Sequence, residues 1–211
     1  MYERYVKRIL DFVLAVFGLV ILSPLYLIII IAIKLDSKGP VLFEQKRMAQ
    51  NKKSFKIYKF RTMRIDTPHN MPTHMLVHAD SYITTVGEFL RKTSLDELPQ
   101  LLNILKGEMS VIGPRPCLMN QKDLIVERDK YGANNVKPGL TGLAQISGRD
   151  ELPIPVKAKY DGNYCKKVTF VGDFEIFFET VASVLRHDGV QEGKVTNSKG
   201  VTINEKSANN R

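Results

Sequence analysis

Two adjacent carboxylates, Asp96 and Glu97, stand inside the run TSLDELPQLLNILKGEMSVIGPRP, from Thr93 to Pro116. Basic residues surround them. Arg91 lies just before the pair, Arg115 follows on the Gly113–Pro116 turn, and Lys59 sits on an upstream strand-like segment. This grouping suits chemistry on phosphate esters. A carboxylate can attack phosphorus and form an acyl phosphate. A second carboxylate can hold a divalent cation, and arginines can offset charge on the transferring phosphoryl group. Neighbours on a helix diverge by about 100°, so the two acids can hold different jobs. A structural reading competes. Ser94 with Glu97 fits the capping box S-x-x-E, and acids in a first turn complement the helix dipole. The company of Lys59, Arg91 and Arg115 is what favours chemistry.

The elements that must position these groups follow from pattern. Leu98, Leu101, Leu102 and Leu105 recur at i, i+3, i+4 and i+7, which marks an amphipathic helix ended by Gly107. Pro99 must lie near its start, which puts Asp96 and Glu97 at or just before the first turn. Ser54 to Met63 carries aromatic and β-branched residues in a strand-like pattern. Lys56, Lys59 and Arg61 project from it, as a solvated basic face or as an anion-binding strand. Val41 to Glu44 reads as a strand and Lys46 to Lys53 as a basic loop. Val86 to Lys92 reads as a short helix, and Gln121 to Tyr131 as a charged surface helix. Lys137 to Arg149 is Gly-rich and loop-forming. Val171 to Leu185 is an amphipathic helix with Asp173 in its first turn. The expected class is α/β, mostly helical with a small sheet. His69, His74 and His78 lack zinc-site spacing and belong to a variable surface loop.

Ile9 to Ile33 is almost wholly apolar, broken only by Asp11, Ser23 and Pro24. Roughly 20 apolar residues suffice to cross a bilayer. Both flanks are basic, with Arg4, Lys7 and Arg8 before and Lys34, Lys38, Lys46 and Arg47 after, so the positive-inside rule gives no orientation. A segment that enters and leaves on one face resolves this. Pro24 supplies the bend, and the Ser23 hydroxyl can satisfy a freed carbonyl. The reading is a re-entrant helix, with a single kinked span as the alternative.

The net charge of +9 points to an anionic partner, whether phosphorylated substrate, membrane surface or nucleic acid. No nucleic-acid-binding signature occurs, and the apolar segment argues against that class. Two cysteines without CxxC spacing suit a reduced setting.

Four blocks, in order, resemble the monotopic phosphoglycosyl transferase family of bacterial sugar transferases. They are the apolar segment with Ser23-Pro24, KIYKFRTM from Lys56 to Met63, Arg91 to Pro116, and KPGLTGLAQISGR from Lys137 to Arg149. The resemblance implies transfer of a phosphosugar from a UDP-sugar to polyprenyl (undecaprenyl) phosphate, with release of UMP. It implies a Mg²⁺ requirement and a ping-pong mechanism through a covalent intermediate. Asp96 matches the family nucleophile, and Glu97 its partner acid, with both carboxylates available to the metal. Lys59, Arg91, Arg115 and Pro116 are assigned to the phosphates. Thr141, Gln145 and Arg149 are assigned to a loop near nucleotide or sugar. The implied layout is a re-entrant helix over 1–35, a catalytic domain over 36–192 and a disordered polar tail over 193–211. The implied location is the bacterial inner membrane, with the catalytic domain facing the cytoplasm in contact with membrane lipid. A homodimer is compatible with this, and no nucleic acid partner is expected. Past Arg149, Asp150, Glu151 and Leu152 depart from relatives that use N-acetylated diamino sugars, so the sugar stays open. The competing class is a non-catalytic, membrane-anchored basic binding protein.

Overall fold

Pro24 has no N–H to offer the Val20 carbonyl, and the Ser23 hydroxyl takes that bond at 2.8 Å. Here the apolar segment breaks into α1 (Lys7–Ile21) and α2 (Ser23–Asp36). The computed structural model describes residues 2–67, 79–148 and 152–186. The three histidines of the 65–82 stretch, Arg149 and the 193–211 tail lie outside these residues. A π-helical turn, Tyr2–Val6, leads into α1, and this first limb meets α2 at 62°. Among the described residues no single helix is long and apolar enough to cross a membrane, whereas the bent pair together meets that length and composition.

Each limb is fastened to the rest of the chain. Lys7, Asp11 and Ala15 recur every four residues and form the buried face of α1. Lys7 pairs with Asp173 at 2.6 Å. Asp11 accepts the Val111 N–H at 2.9 Å. Arg8 donates to the carbonyls of Ile104 and Leu105. On α2, Ile29 and Ile33 pack with Phe60 and Leu90, and the Tyr26 hydroxyl donates to the Leu98 carbonyl at 2.6 Å. The opposite faces expose Phe12, Phe17, Val20, Leu27, Ile28 and Ile31.

β1 (Leu42–Met48) and β2 (Ser54–Phe60) form an antiparallel hairpin, with Leu42 opposite Phe60 and Met48 opposite Ser54. The expected basic loop from Lys46 is therefore strand as far as Met48. Charge did not end it, because ladder pairing with β2 continues and Lys46 needs only an outward position. Asn51 and Lys52, both at positive φ, make the reversal.

α3 (Thr85–Lys92) is capped by the Thr84 hydroxyl, which accepts the Gly87 N–H at 3.0 Å. α4 (Gln100–Lys106) follows, then β3 (Ser110–Ile112), α5 (Lys122–Asp129), β4 (Gly139–Thr141), α6 (Leu143–Ile146), α7 (Ile154–Lys166) and α8 (Phe170–Arg186). β3 and β4 pair in parallel, so the described residues hold two separate two-stranded sheets rather than one small sheet. The stretch expected as a Gly-rich loop thus holds a strand and a helix. Its glycines serve close approach: a Cβ on Gly139 would lie 2.1 Å from the Gly113 nitrogen. The principal core joins Ala15, Phe55, Ile57, Leu101, Ile104 and Met109 with residues of β3, α7 and α8.

Candidate active site

Asp96 and Glu97 lie in a 3₁₀ turn, Leu95–Glu97, ahead of α4. Ser94 stands in the left-handed region at φ 55° and makes no side-chain cap bond. Pro99 occupies the cap of α4 itself, and Gly107 ends that helix at φ 79°. The capping-box reading is thereby overturned. The Glu97 carboxylate faces two cations instead of a backbone N–H.

Strand alternation brings the first cation in. Lys59 shares parity with the buried Phe55 and Ile57, while Lys56 has the other parity and meets exposed Glu44 at 3.0 Å. The Lys59 amine lies 2.7 Å from Glu97 Oε1 and 3.4 Å from Asp96 Oδ2. Asn103 sets that reach. It is fully buried on α4, accepts the Tyr58 N–H at 3.0 Å and donates to the Lys56 carbonyl at 2.7 Å. One amide thereby stitches β2 to the helix behind the acids.

The second cation is Arg115. Its two terminal nitrogens reach the two Glu97 oxygens at 2.8 and 3.4 Å. The turn that carries it is clamped to β4: Gly113 N–H donates to the Thr141 carbonyl, and Gly139 N–H to the Pro114 carbonyl.

The two acids differ electrostatically. Burial pushes the Asp96 carboxyl up; the Lys59 charge opposes this, and the Glu97 charge adds to it. Burial also presses Glu97 upward, but Arg115 and Lys59, by charge and hydrogen bond together, hold it well below the usual carboxylate range. Glu97 is the fixed anion, and Asp96 is the desolvated, more basic carboxylate.

Beside the pair opens a cavity of about 380 Å³, lined by Glu97, Arg115, Thr141 and Gln145. Leu98, Val111 and Leu140 add apolar wall, and Phe177, Val181 and Val184 of α8 close one side. Asp96 adjoins this cavity without forming its wall. Thr141 shares a hydrogen bond with Thr180 of α8 at 2.8 Å. Gln145 donates to the Leu140 carbonyl at 3.0 Å, and its buried Oε1 has no hydrogen-bond partner.

The remaining sequence-predicted residues are placed differently. Arg91 donates to the Thr62 hydroxyl at 3.0 Å, although its charge still acts on Asp96. The Pro116 carbonyl accepts from Arg47 at 3.4 Å, away from the cavity. Arg61 is 5% exposed and holds Ser37 and Lys38, so it is structural rather than an anion-binding group. Arg149 lies outside the described residues. Sequence reasoning missed Arg128, which forms a buried pair on the cavity wall with Asp161. The charged surface helix expected over 121–131 corresponds to α5, yet its Arg128 is 3% exposed. The available signal was Asp161, which falls three residues after Ala158 on the buried face of α7; a charge there needs a partner.

Among the described residues no group of three or more His, Cys, Asp or Glu side chains forms a metal cage. The donor set that is present, two neighbouring carboxylates, fits a hard ion such as Mg²⁺ that takes its other ligands from phosphates and water.

Residues 2–187 match the sequence profile described as bacterial sugar transferase. The undecaprenyl-phosphate galactose phosphotransferase of Salmonella typhimurium is 36% identical over 201 residues, covering 89% of this chain and 42% of that protein. The exopolysaccharide production protein PSS of Rhizobium leguminosarum bv. phaseoli is 41% identical over 195 residues, covering 87% of this chain and 96% of that protein. The UDP-glucose:undecaprenyl-phosphate glucose-1-phosphate transferase of Escherichia coli K12 is 39% identical over 186 residues, covering 85% and 40%. The chain therefore spans less than half of the Salmonella and Escherichia proteins and nearly all of the rhizobial one.

Proposed function

Because the chain belongs to the bacterial sugar transferase family, we propose that it transfers a phosphosugar from a UDP-sugar to polyprenyl (undecaprenyl) phosphate. The products are polyprenyl-diphospho-sugar and UMP. The observation that carries this reading is the opposed state of the two acids: Glu97 locked under Lys59 and Arg115, and Asp96 buried beside a cavity.

In the proposed first step an Asp96 oxygen attacks the β-phosphorus of the UDP-sugar. The bond from that phosphorus to the bridging oxygen breaks, and UMP leaves with the oxygen. In the second step a phosphate oxygen of the polyprenyl phosphate attacks the same phosphorus, and the Asp96 carboxylate is released. Burial raises the basicity of Asp96, which favours its attack, while Lys59 favours its ionised form. Arg115 bears on the phosphoryl oxygens from the cavity wall, positioned by Glu97. Asp96 and Glu97 would hold Mg²⁺, which when bound offsets charge on the diphosphate. The apolar wall from α8 gives uncharged donor groups a dry surface.

The re-entrant reading is part of the same proposal. The 62° bend and the exposed apolar faces of α1 and α2 support a segment one leaflet deep. It would bring a lipid phosphate to a site that also meets soluble nucleotide, on the cytoplasmic face of the inner membrane. A non-catalytic anchor protein has no use for an acid pair organised in this way.

The test is UMP release from a panel of UDP-sugars with Mg²⁺ and polyprenyl phosphate, comparing the natural protein with Asp96→Asn. Lipid-dependent UMP from one sugar, abolished in the variant, is the expected result. Normal turnover by well-folded Asp96→Asn would falsify the nucleophile assignment.

A further inference from the structure

β3 separates two cavities. Its alternation turns Val111 to the catalytic cavity, while Ser110 and Ile112 line a second one of about 320 Å³. The second cavity lies between the start of the chain through α1 and the segment Val136–Lys137 just before β4, and none of the residues proposed for catalysis lines it.

Its charged lining is mainly basic. Arg4, Lys7, Arg8 and Lys137 line it, against the carboxylates Glu3 and Asp11. Lys7 is answered by Asp173, and Asp11 is engaged by the Val111 N–H. Arg8 is held in place by the Ile104 and Leu105 carbonyls in the last turn of α4. The Lys137 amine makes no ion pair or hydrogen bond with the described side chains. Burial, aided by the Arg8 charge and opposed by the Asp11 carboxylate, holds it below the ordinary lysine range. Ser110 adds a separate signal. It is 1% exposed, and its hydroxyl has no hydrogen-bond partner. A buried donor without a partner beside converging cations is the arrangement an oxyanion would complete.

We propose that this second cavity binds a phosphate group, with Lys137 and Arg4 supplying charge and the Ser110 hydroxyl a hydrogen bond. An anionic phospholipid headgroup and a soluble phosphate share this chemistry, whereas phosphocholine carries its own cation and presents no net charge to the site. A headgroup would reach the cavity because it opens at the start of the apolar helix pair. The site is independent of the phosphosugar reaction, so either reading can fail without the other.

The test uses the full chain in bilayer discs of three kinds: phosphatidylcholine alone, phosphatidylcholine with about one-third phosphatidylglycerol, and phosphatidylcholine with added inorganic phosphate. Thermal midpoints are compared for the natural protein, Lys137→Gln and Ser110→Ala. Ser110→Ala leaves the surface charge unchanged, so it separates this site from general attraction to an anionic bilayer. It also separates it from phosphate bound at Arg115. The natural protein should gain about 3 °C or more with ligand near ten times its Kd, and both variants should lose most of that gain. A gain with phosphatidylglycerol alone identifies a lipid headgroup, and a gain with inorganic phosphate in neutral discs identifies a soluble ligand. No gain in either arm, or a full gain retained by either variant, overturns the proposal.

Discussion

Arg128 and Asp161 lie 2.6 Å apart with side chains 3% and 1% exposed, and Arg128 also donates to the Arg115 carbonyl at 3.0 Å. A pair out of water therefore stands directly behind the arginine that faces Glu97. Removing one partner of a buried pair costs about 3–5 kcal/mol, because the other charge is left uncompensated. Asp161→Asn should lower Tm by roughly 10 °C. UMP release should fall with it, measured well below the new midpoint, because Arg115 loses its backing. An unchanged Tm would show that the pair does not carry the load the geometry gives it.

Arg115→Lys tests fork geometry rather than charge. Both terminal nitrogens of Arg115 reach Glu97, a contact that one ammonium cannot reproduce. A lost charge-assisted hydrogen bond is worth about 1.5–3 kcal/mol, so kcat should fall by roughly 10- to 100-fold. Circular dichroism should match that of the natural protein. Equal kcat values would mean that position 115 needs only a positive charge.

Both cysteines are free thiols, and burial pushes both upward, Cys165 to about 12. The neighbouring Asp161 charge adds to the effect at Cys165. The thiolate is the reactive form, so a raised pKa lowers reactivity at a given pH. At pH 8 only about 1 part in 10⁴ of Cys165 would be thiolate, against roughly a quarter of an unperturbed thiol. Iodoacetamide at pH 8 should label neither cysteine in the folded protein and both after denaturation, as read by intact mass. Rapid native labelling of either one would contradict the burial described.

The hairpin strand, the leucine helix and the acid pair were legible because each has a strong local signal: alternation, the 3.6 period and unusual charge company. The sense of Lys59 was not legible. It required knowing which parity of β2 faces inward, and Phe60 packs on the opposite side from Phe55 and Ile57. The turn around Asp96 also escaped, because Ser94 at positive φ is set by the tertiary fit and no propensity announces it. β4 was hidden for a similar reason. Gly139 and Gly142 look like loop residues, but they are there so that two backbones can touch. The Arg128–Asp161 pair spans 33 residues of sequence, so the buried face of α7 announces that Asp161 needs a partner but not which residue supplies it.

The bend at Pro24 is over-determined, which yields a prediction against intuition. Proline inside a helix costs about 3 kcal/mol, so Pro24→Ala removes the local reason for the break. Yet both limbs are anchored independently of it. Ile29 and Ile33 cover Phe60 and Leu90, which are 2% and 1% exposed, and uncovering each of these to water costs up to roughly 1.5–3 kcal/mol. Tyr26 adds a hydrogen bond to Leu98, while Lys7, Arg8 and Asp11 fix the other limb. Straightening the pair would break one of these sets, at a cost exceeding what a regained Val20 hydrogen bond returns. On the proposed re-entrant reading, Pro24→Ala should therefore keep both ends of the protein on one membrane face. Protease-accessible tags at the two ends, read in sealed inside-out vesicles, measure this directly. Only Pro24→Ala combined with loss of the α2 packing, as in Tyr26→Ala with Ile29→Ala, should let the N-terminal tag cross. A tag that crosses in Pro24→Ala alone would mean that the proline, rather than the packing, holds the bend.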